Sequence, residues 1–427
     1  MIDIRLLRQE PEATRASLAR RLDPSLSGVL DRLTVLDTRR REIIGRVETL
    51  KAERNSASEA VARLKKAGQS AEAEMARLKA SGEEVKALDA ELRGVETELA
   101  GALLTVPNLP LPGVPDGDAA GNKVVRSWGT PPAFGFTPRP HWELGADLGL
   151  FDLPRGAKVA GSGFPLFTGP GARLGRALAN FMLDLHTREH GYLEIAPPYL
   201  VNRASMTGTG QLPKFAEELY SIPSDELYLV PTAEVPVTNL YRDEMLDGAQ
   251  LPIGLVAWTP CFRREAGAHG KDTRGLIRVH QFDKVELVRL CLPEDSAAEH
   301  QRITGHAEAV LQRLEIPYRV VALAAGDTGF ASAATFDLEV WAAGVGGWLE
   351  ASSASTFTDF QARRANIRFR RGPGAKPEFV HTLNASGVAF PRTIIALLED
   401  NQQADGSIRV PAALVPYLGT DRLEPRA

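Results

Sequence analysis

The chain has 427 residues and a formal net charge of −4, enough length for more than one buried core and no overall positive charge to hold nucleic acid, so any such contact must be local. Its two cysteines, Cys261 and Cys291, with no CxxC or HExxH, exclude a disulfide framework and a four-cysteine zinc site, so no structural zinc is expected. No apolar run reaches 18 residues and Met1-Ile-Asp-Ile-Arg has no signal-like core, so the expected location is cytoplasmic, with no membrane contact.

From residue 27 to 64 the apolar residues step by fours and threes: Val29, Leu33, Leu36, Ile43, Val47, Leu50, Ala57, Val61 and Leu64, with Arg40 and Arg54 at the two skipped positions. A seven-residue repeat of this kind predicts a coiled-coil helix. Lys65-Lys66-Ala67-Gly68-Gln69-Ser70 breaks the pattern; Gly68 suits a helix end and Ser70 a helix cap. A second seam follows at Leu78, Val85, Leu88, Leu92, Val95, Leu99 and Ala102, and stops at the proline-rich stretch after Thr105. The expectation is an antiparallel two-helix arm about 60 Å long, projecting into solvent because one narrow seam leaves little to pack on a globular body. Heptads alone fit a dimerisation coiled coil as well as an arm that touches a partner. In the second case Arg39, Arg40, Arg41, Arg54, Arg63, Lys65, Lys66, Arg77 and Lys79 are available for phosphates.

From residue 106 onward, strand-like and helical stretches mix without regular βαβ alternation, and neither GxxxxGK[ST] nor a strand-anchored GxGxxG is present. Residues 173–191 read as a helix with Leu174, Leu178, Phe181, Leu183 and Leu185 on one stripe, followed by a strand at Tyr192 and then Pro197-Pro198. Met206-Thr-Gly-Thr-Gly-Gln reads as a mobile loop. An apolar strand at 227–230 delivers Thr232-Ala233-Glu234, an anionic group and a hydroxyl of the kind a free amino acid needs. Another, at 255–258, leads to Arg263-Arg264-Glu265, then a polar loop with Gly267, Gly270, Lys271 and Asp272, then alternation over 275–282 that reads as a second strand. Arginine forks suit phosphate oxygens. A strand ending at Glu350 and Ser352-Ser353 offers oxygens to a hard cation such as magnesium. Arg392 opens an apolar helix carrying Ile394, Ile395, Leu397 and Leu398, where it can meet a phosphate. Each element also has a bland reading, as a core helix, a solvated charged hairpin or a capped turn.

Taken together and in order, these stretches resemble a known family. Phe262-Arg-Arg-Glu265 followed by Arg278-Val-His-Gln-Phe-Asp-Lys-Val-Glu286 resembles motif 2 of the class II aminoacyl-tRNA synthetases, and specifically that of the seryl-tRNA synthetases. The helix–strand–proline run at 178–202 is similar to motif 1, residues 255–286 to motif 2 and residues 381–400 to motif 3. The resemblance implies an α+β fold, an antiparallel sheet flanked by helices, with a tRNA-binding coiled-coil arm over residues 1–104 and a catalytic domain over 105–427. It implies a serine–tRNA ligase that uses ATP and Mg2+, makes seryl-adenylate, and passes serine to the 3′ end of tRNA(Ser). Whether tRNA(Sec) is also charged stays open. Implied partners are L-serine, tRNA and a second copy, motif 1 forming a homodimer with tRNA bound across both subunits. By the same resemblance ATP meets Arg263, Arg264, Glu265, Val279, Glu350, Ala351, Ser352, Ser353 and Arg392. Serine meets Thr232, Ala233, Glu234, Arg263, Glu286, Asn384 and Ser386. Glu350 and Ser353 hold Mg2+ with ATP, and Arg263 and Arg392 are the catalytic pair. The chain departs from the family pattern at Ala351, Ala354 and Thr356, and has Pro391 where glycine is common. A synthetase-like paralogue that binds RNA or regulates without charging tRNA is the alternative.

Overall fold

The computed structural model describes residues 1–266 and 274–426, so Gly267, Gly270, Lys271 and Asp272 of the expected motif 2 loop lie outside the described residues. The chain divides into two compact units, one comprising Ile2–Ala19 and Asp23–Pro107, the other Met1, Arg20–Leu22 and the chain from Asn108 onward. No helix among the described residues is long and apolar enough to cross a membrane.

The first unit is helical. Helix α1 (Ile4–Gln9) is capped by Asp3, which accepts from the Arg5 amide, and α2 (Pro11–Ala19) opens on a proline whose missing N–H costs nothing there. Then come two long helices, α3 (Leu26–Lys66) and α4 (Glu72–Leu103). Arg32 pairs with Glu98, Arg39 with Glu91 and Arg46 with Glu84; partner numbers fall as α3 advances, which makes the two helices antiparallel. Leu33, Leu36, Ile43, Val47 and Leu50 are buried as the heptads predict, and Ile43, Val47 and Leu50 cluster with Val85, Leu88, Leu92 and Val95 of α4. Val29, Ala57, Val61 and Leu64 are only half-buried, while Leu26 and Leu30 are buried at the start of α3. Asp37 is buried on the same helix and is ion-paired with Arg8 of α1 at 3.1 Å. Gly68 takes the left-handed backbone (φ +70) that ends α3, and the Ser70 hydroxyl accepts from the Glu72 amide at the start of α4.

The second unit is built on one eight-stranded sheet. In chain order its strands are β1 (Lys123–Trp128), β2 (Leu193–Glu194), β3 (Ile253–Phe262), β4 (Gln281–Cys291), β5 (Tyr318–Ala322), β6 (Ala334–Ala342), β7 (Gly347–Thr358) and β8 (His381–Ala389). Their spatial order is β1-β5-β6-β7-β8-β4-β3-β2. Every pairing is antiparallel except that of β2 with β3. Helices α5 (Gly169–Arg188), α6 (Glu234–Thr238), α7 (Ser296–Arg313), α8 (Phe360–Ala365) and α9 (Phe390–Asp400) accompany it. Leu178 and Met182 of α5, Ile303 and Val310 of α7, and Ile395 and Leu398 of α9 bury with Val285, Leu287, Val320 and Leu338 of the sheet in one core. This is the α+β architecture that the sequence resemblance implies.

Three local expectations need correction. The second motif 2 strand begins at Gln281, not Gly275. Gly275 has φ +70, and the Leu276 and His280 amides bond to His141 Nε2 and Gly163 O, so residues 275–280 are tied to two separate neighbours instead of forming a ladder. Met206 to Thr209 are the end of a helix, Arg203–Thr209, which Asn202 caps by accepting from the Ser205 amide. Finally, β7 does not end at Glu350 and Ser353: it runs on to Thr358, and both residues lie mid-strand.

Candidate functional site

The sheet places the recognised stretches side by side. Strand β4 has Glu286 opposite Ala257 of β3 on one side and opposite Ser386 of β8 on the other, and β8 pairs in turn with β7, which carries Glu350. Two cavities open over these four strands. One, of about 220 Å³, is lined by Arg263, Glu265, Val279, Glu350, Ala351 and Arg392 together with Leu276, Ile277, Arg278 and Phe282. The other, of about 270 Å³, is lined by Thr232, Glu234, Arg263, Glu350, Ser353, Asn384 and Ser386, with Thr209, Gln211 and Phe330 among others. Arg263, Lys284, Glu350 and Ser386 belong to both walls, so the cavities adjoin.

The first cavity is a cage of arginines. The Arg263 guanidinium lies 5.1 Å from the centre of the Phe282 ring and donates to Pro231 O at 3.3 Å. Arg278 is ion-paired with Glu265 at 2.8 Å. Arg392 donates to Glu350 O at 2.6 Å and to Ile277 O at 3.3 Å, with the Glu350 carboxylate 3.3 Å away. Pro391 occupies the first turn of α9, where its ring fits, so it leaves Arg392 at the helix start facing the cavity.

Behind the second cavity lies a buried polar network. Lys284 is ion-paired with Glu286 and donates to Thr232 Oγ1 at 2.9 Å; Thr232 in turn donates to Glu286 Oε2 at 3.1 Å. Asn384 bridges the two glutamates, 3.0 Å from Glu234 Oε2 and 3.0 Å from Glu286 Oε1. Gln361 of α8 donates to Glu234 Oε1 at 2.5 Å and is itself held by Thr382. Glu286 is fully buried and Glu234 is 7% exposed. Burial first, then the nearby charge of Glu286, pushes the Glu234 carboxyl up to about 7. Glu234 is held by two side-chain amide donors, Gln361 and Asn384.

Not every predicted residue lines a cavity. Ala233 is buried in a separate apolar cluster, the Ser352 hydroxyl is spent on Ser386 O at 2.6 Å, and Arg264 is exposed with its amide bonded to Glu218 O. Glu286 sits behind Thr232 and Asn384 and is outside both walls. The departures Ala354 and Thr356 are buried away from both cavities, Ala354 in the core and Thr356 against Ser296 of α7. Sequence reasoning missed Lys284, Gln361 and Phe282. Lys284 carried a usable signal: it stands two residues before Glu286 on a strand, which puts both on one face. Glu350 and Ser353 share the second cavity and offer oxygens only, a donor set that fits magnesium, which takes few protein ligands and completes its shell with phosphate and water. Among the described residues no group of three or more His, Cys, Asp or Glu is arranged to hold a metal.

Residues 1–110 match the family model for the seryl-tRNA synthetase N-terminal domain, and residues 218–401 match that for the tRNA synthetase class II core domain (G, H, P, S and T). The serine–tRNA ligase of Gemmatimonas aurantiaca is 56% identical over 420 residues, covering 98% of this chain and 99% of that protein. The chain belongs to the seryl-tRNA synthetase family. With the family comes the activity class, an ATP-dependent aminoacyl-tRNA ligase. The serine–tRNA ligase of Moorella thermoacetica is 59% identical, with 98% of each chain covered. Among solved structures, the seryl-tRNA synthetase from Pyrococcus horikoshii complexed with ATP superposes with a TM-score of 0.97 at 36% identity, covering all of both chains.

Proposed function

We propose that this chain joins L-serine to tRNA(Ser), with ATP in the Arg392 cavity and serine in the Glu234 cavity. The observation that carries the reading is the shared wall: Arg263 and Glu350 border both cavities, so the reacting ends of the two substrates meet there. In the first step a serine carboxylate oxygen attacks the α-phosphorus and pyrophosphate leaves. In the second, the terminal adenosine hydroxyl of tRNA attacks the acyl carbon and AMP leaves. No enzyme nucleophile is called for, and catalysis rests on positioning and neutralisation of phosphate charge.

Arg263 takes the α-phosphate, Arg392 the γ-phosphate, and Glu265 with Val279 the adenine side. Glu234 takes the serine ammonium. Thr232, Asn384 and Ser386, backed by Lys284 and Glu286, recognise the hydroxyl, and a site built around that hydrogen bond rejects alanine far better than one that is merely wide enough. Glu350 and Ser353 would hold a magnesium ion, which neutralises phosphate charge when bound. Ala233, Arg264 and Ser352 support the site from outside its walls. The helical unit grips the tRNA, the working form is a homodimer with tRNA bound across both subunits, and the place of action is the cytoplasm. tRNA(Sec) is to be tried beside tRNA(Ser). Aminoacylation of a tRNA(Ser) transcript tests the reading: serine attached to its 3′ end supports it, and serine activation without transfer assigns the chain to the non-charging paralogues.

A further inference from the structure

A chain of buried polar contacts behind the nucleotide cavity is used by none of the steps above. His141 and Glu399 are both fully buried. The Glu399 carboxylate receives four hydrogen bonds: His141 N and Nδ1 on Oε1, each at 2.8 Å, and the Gly344 and Val345 amides on Oε2 at 2.8 and 2.9 Å. The other ring nitrogen, His141 Nε2, faces the Leu276 amide at 3.0 Å. An amide N–H can only donate, so Nε2 is an acceptor and Nδ1 carries the ring proton toward Glu399. Both nitrogens are assigned by their partners.

Leu276 is buried and opens residues 276–279, which line the nucleotide cavity. The fit around it is close: a Cβ on Gly275 would lie 2.2 Å from His141 Nε2, and φ there is +70. Helix α9 thus holds this wall at two points. Arg392 bonds Ile277 O directly, and Glu399, seven residues and two turns further on, reaches the Leu276 amide through His141. Second-layer contacts of this kind orient the groups that touch a ligand.

We propose that His141, oriented by Glu399, is a positioning residue for the nucleotide: it fixes the Leu276 amide, and with it the wall at 276–279, without touching substrate. The inference rests on reading this cavity as the ATP site. The test compares two amides that differ in reach. In H141N the side chain still donates to Glu399 but falls short of Leu276; in H141Q the amide oxygen reaches the position of Nε2. Hydrogen exchange of the Leu276 amide, and KM for ATP and for serine in ATP–pyrophosphate exchange, are measured for each. The expected result for H141N is an amide that exchanges at least about tenfold faster and a KM for ATP raised about tenfold, the scale of one lost hydrogen bond, with the serine KM within about twofold of wild type. H141Q restores protection and most of the ATP affinity. Unchanged protection in H141N, an equal rise of both KM values, or H141Q behaving like H141N overturns the proposal. A wild-type protein without serine-dependent exchange overturns the reading of the cavity instead, and the Leu276 amide then still reports on the contact.

Discussion

Lys284, buried at the wall shared by the two cavities, neutralises Glu286, whose side chain is shut off from solvent. Replacing it with Met should leave that carboxylate buried and unpaired and cost about 3–5 kcal/mol, read as a lower urea midpoint with an unchanged slope; a midpoint equal to wild type would contradict the network. Glu234 makes a prediction about pH. Its carboxyl is raised from 4.5 to about 7, so the stability it contributes to the ligand-free protein is complete below 4.5 and is lost as pH rises through about 7. Binding of a cationic ammonium needs the ionised form, so the KM for serine should climb about tenfold per unit as pH falls below that value. A flat serine KM profile across neutrality contradicts the role given to Glu234. Arg392→Ala should slow ATP–pyrophosphate exchange by about a hundredfold to a thousandfold, the usual loss for one preorganised charge contact; near-normal exchange removes Arg392 from the γ-phosphate. At this scale Arg263, Glu265 and Arg392, which line one cavity, are conspicuous charges at element ends, but a solvated or ion-paired role fits such residues as well and only the family resemblance singled them out. Lys284 and Gln361 were not singled out, because nothing local says that a lysine inside a strand or a glutamine inside a helix meets a glutamate from another part of the chain.

Elements were read well where periodicity is local. The heptads gave both arm helices, and Gly68 and Ser70 the turn between them. The reading failed where a non-local bond decides: residues 275–280 alternate like a strand, yet His141 and Gly163 take their amides. The basic residues of the arm also look different in place. Arg39 and Arg40, candidates for phosphate contact, pair with Glu91 and Glu96 on the facing helix. Such exposed pairs contribute little to stability, so the arm should depend on its seam: Leu50→Ala, at a buried position, should cost about 2–5 kcal/mol. Removing residues 30–100 should leave serine activation intact and abolish transfer to tRNA. Loss of both activities would show that the arm serves the catalytic unit itself.

For the molecule as a whole, the order β7-β8-β4-β3 is what brings four separate stretches to one site. No local pattern announces it, because each pairing joins residues far apart in the chain, such as Glu286 with Ser386 and Ala354 with Ala385. The order of the motifs along the sequence, and their likeness to a family, singled out these stretches where periodicity could not. The most direct test of the account is amino-acid-dependent ATP–pyrophosphate exchange run with serine, threonine, alanine, cysteine and glycine. Exchange supported by serine alone is the predicted result. Exchange with none of the five, or with alanine as readily as serine, would contradict the assignment of the Glu234 cavity.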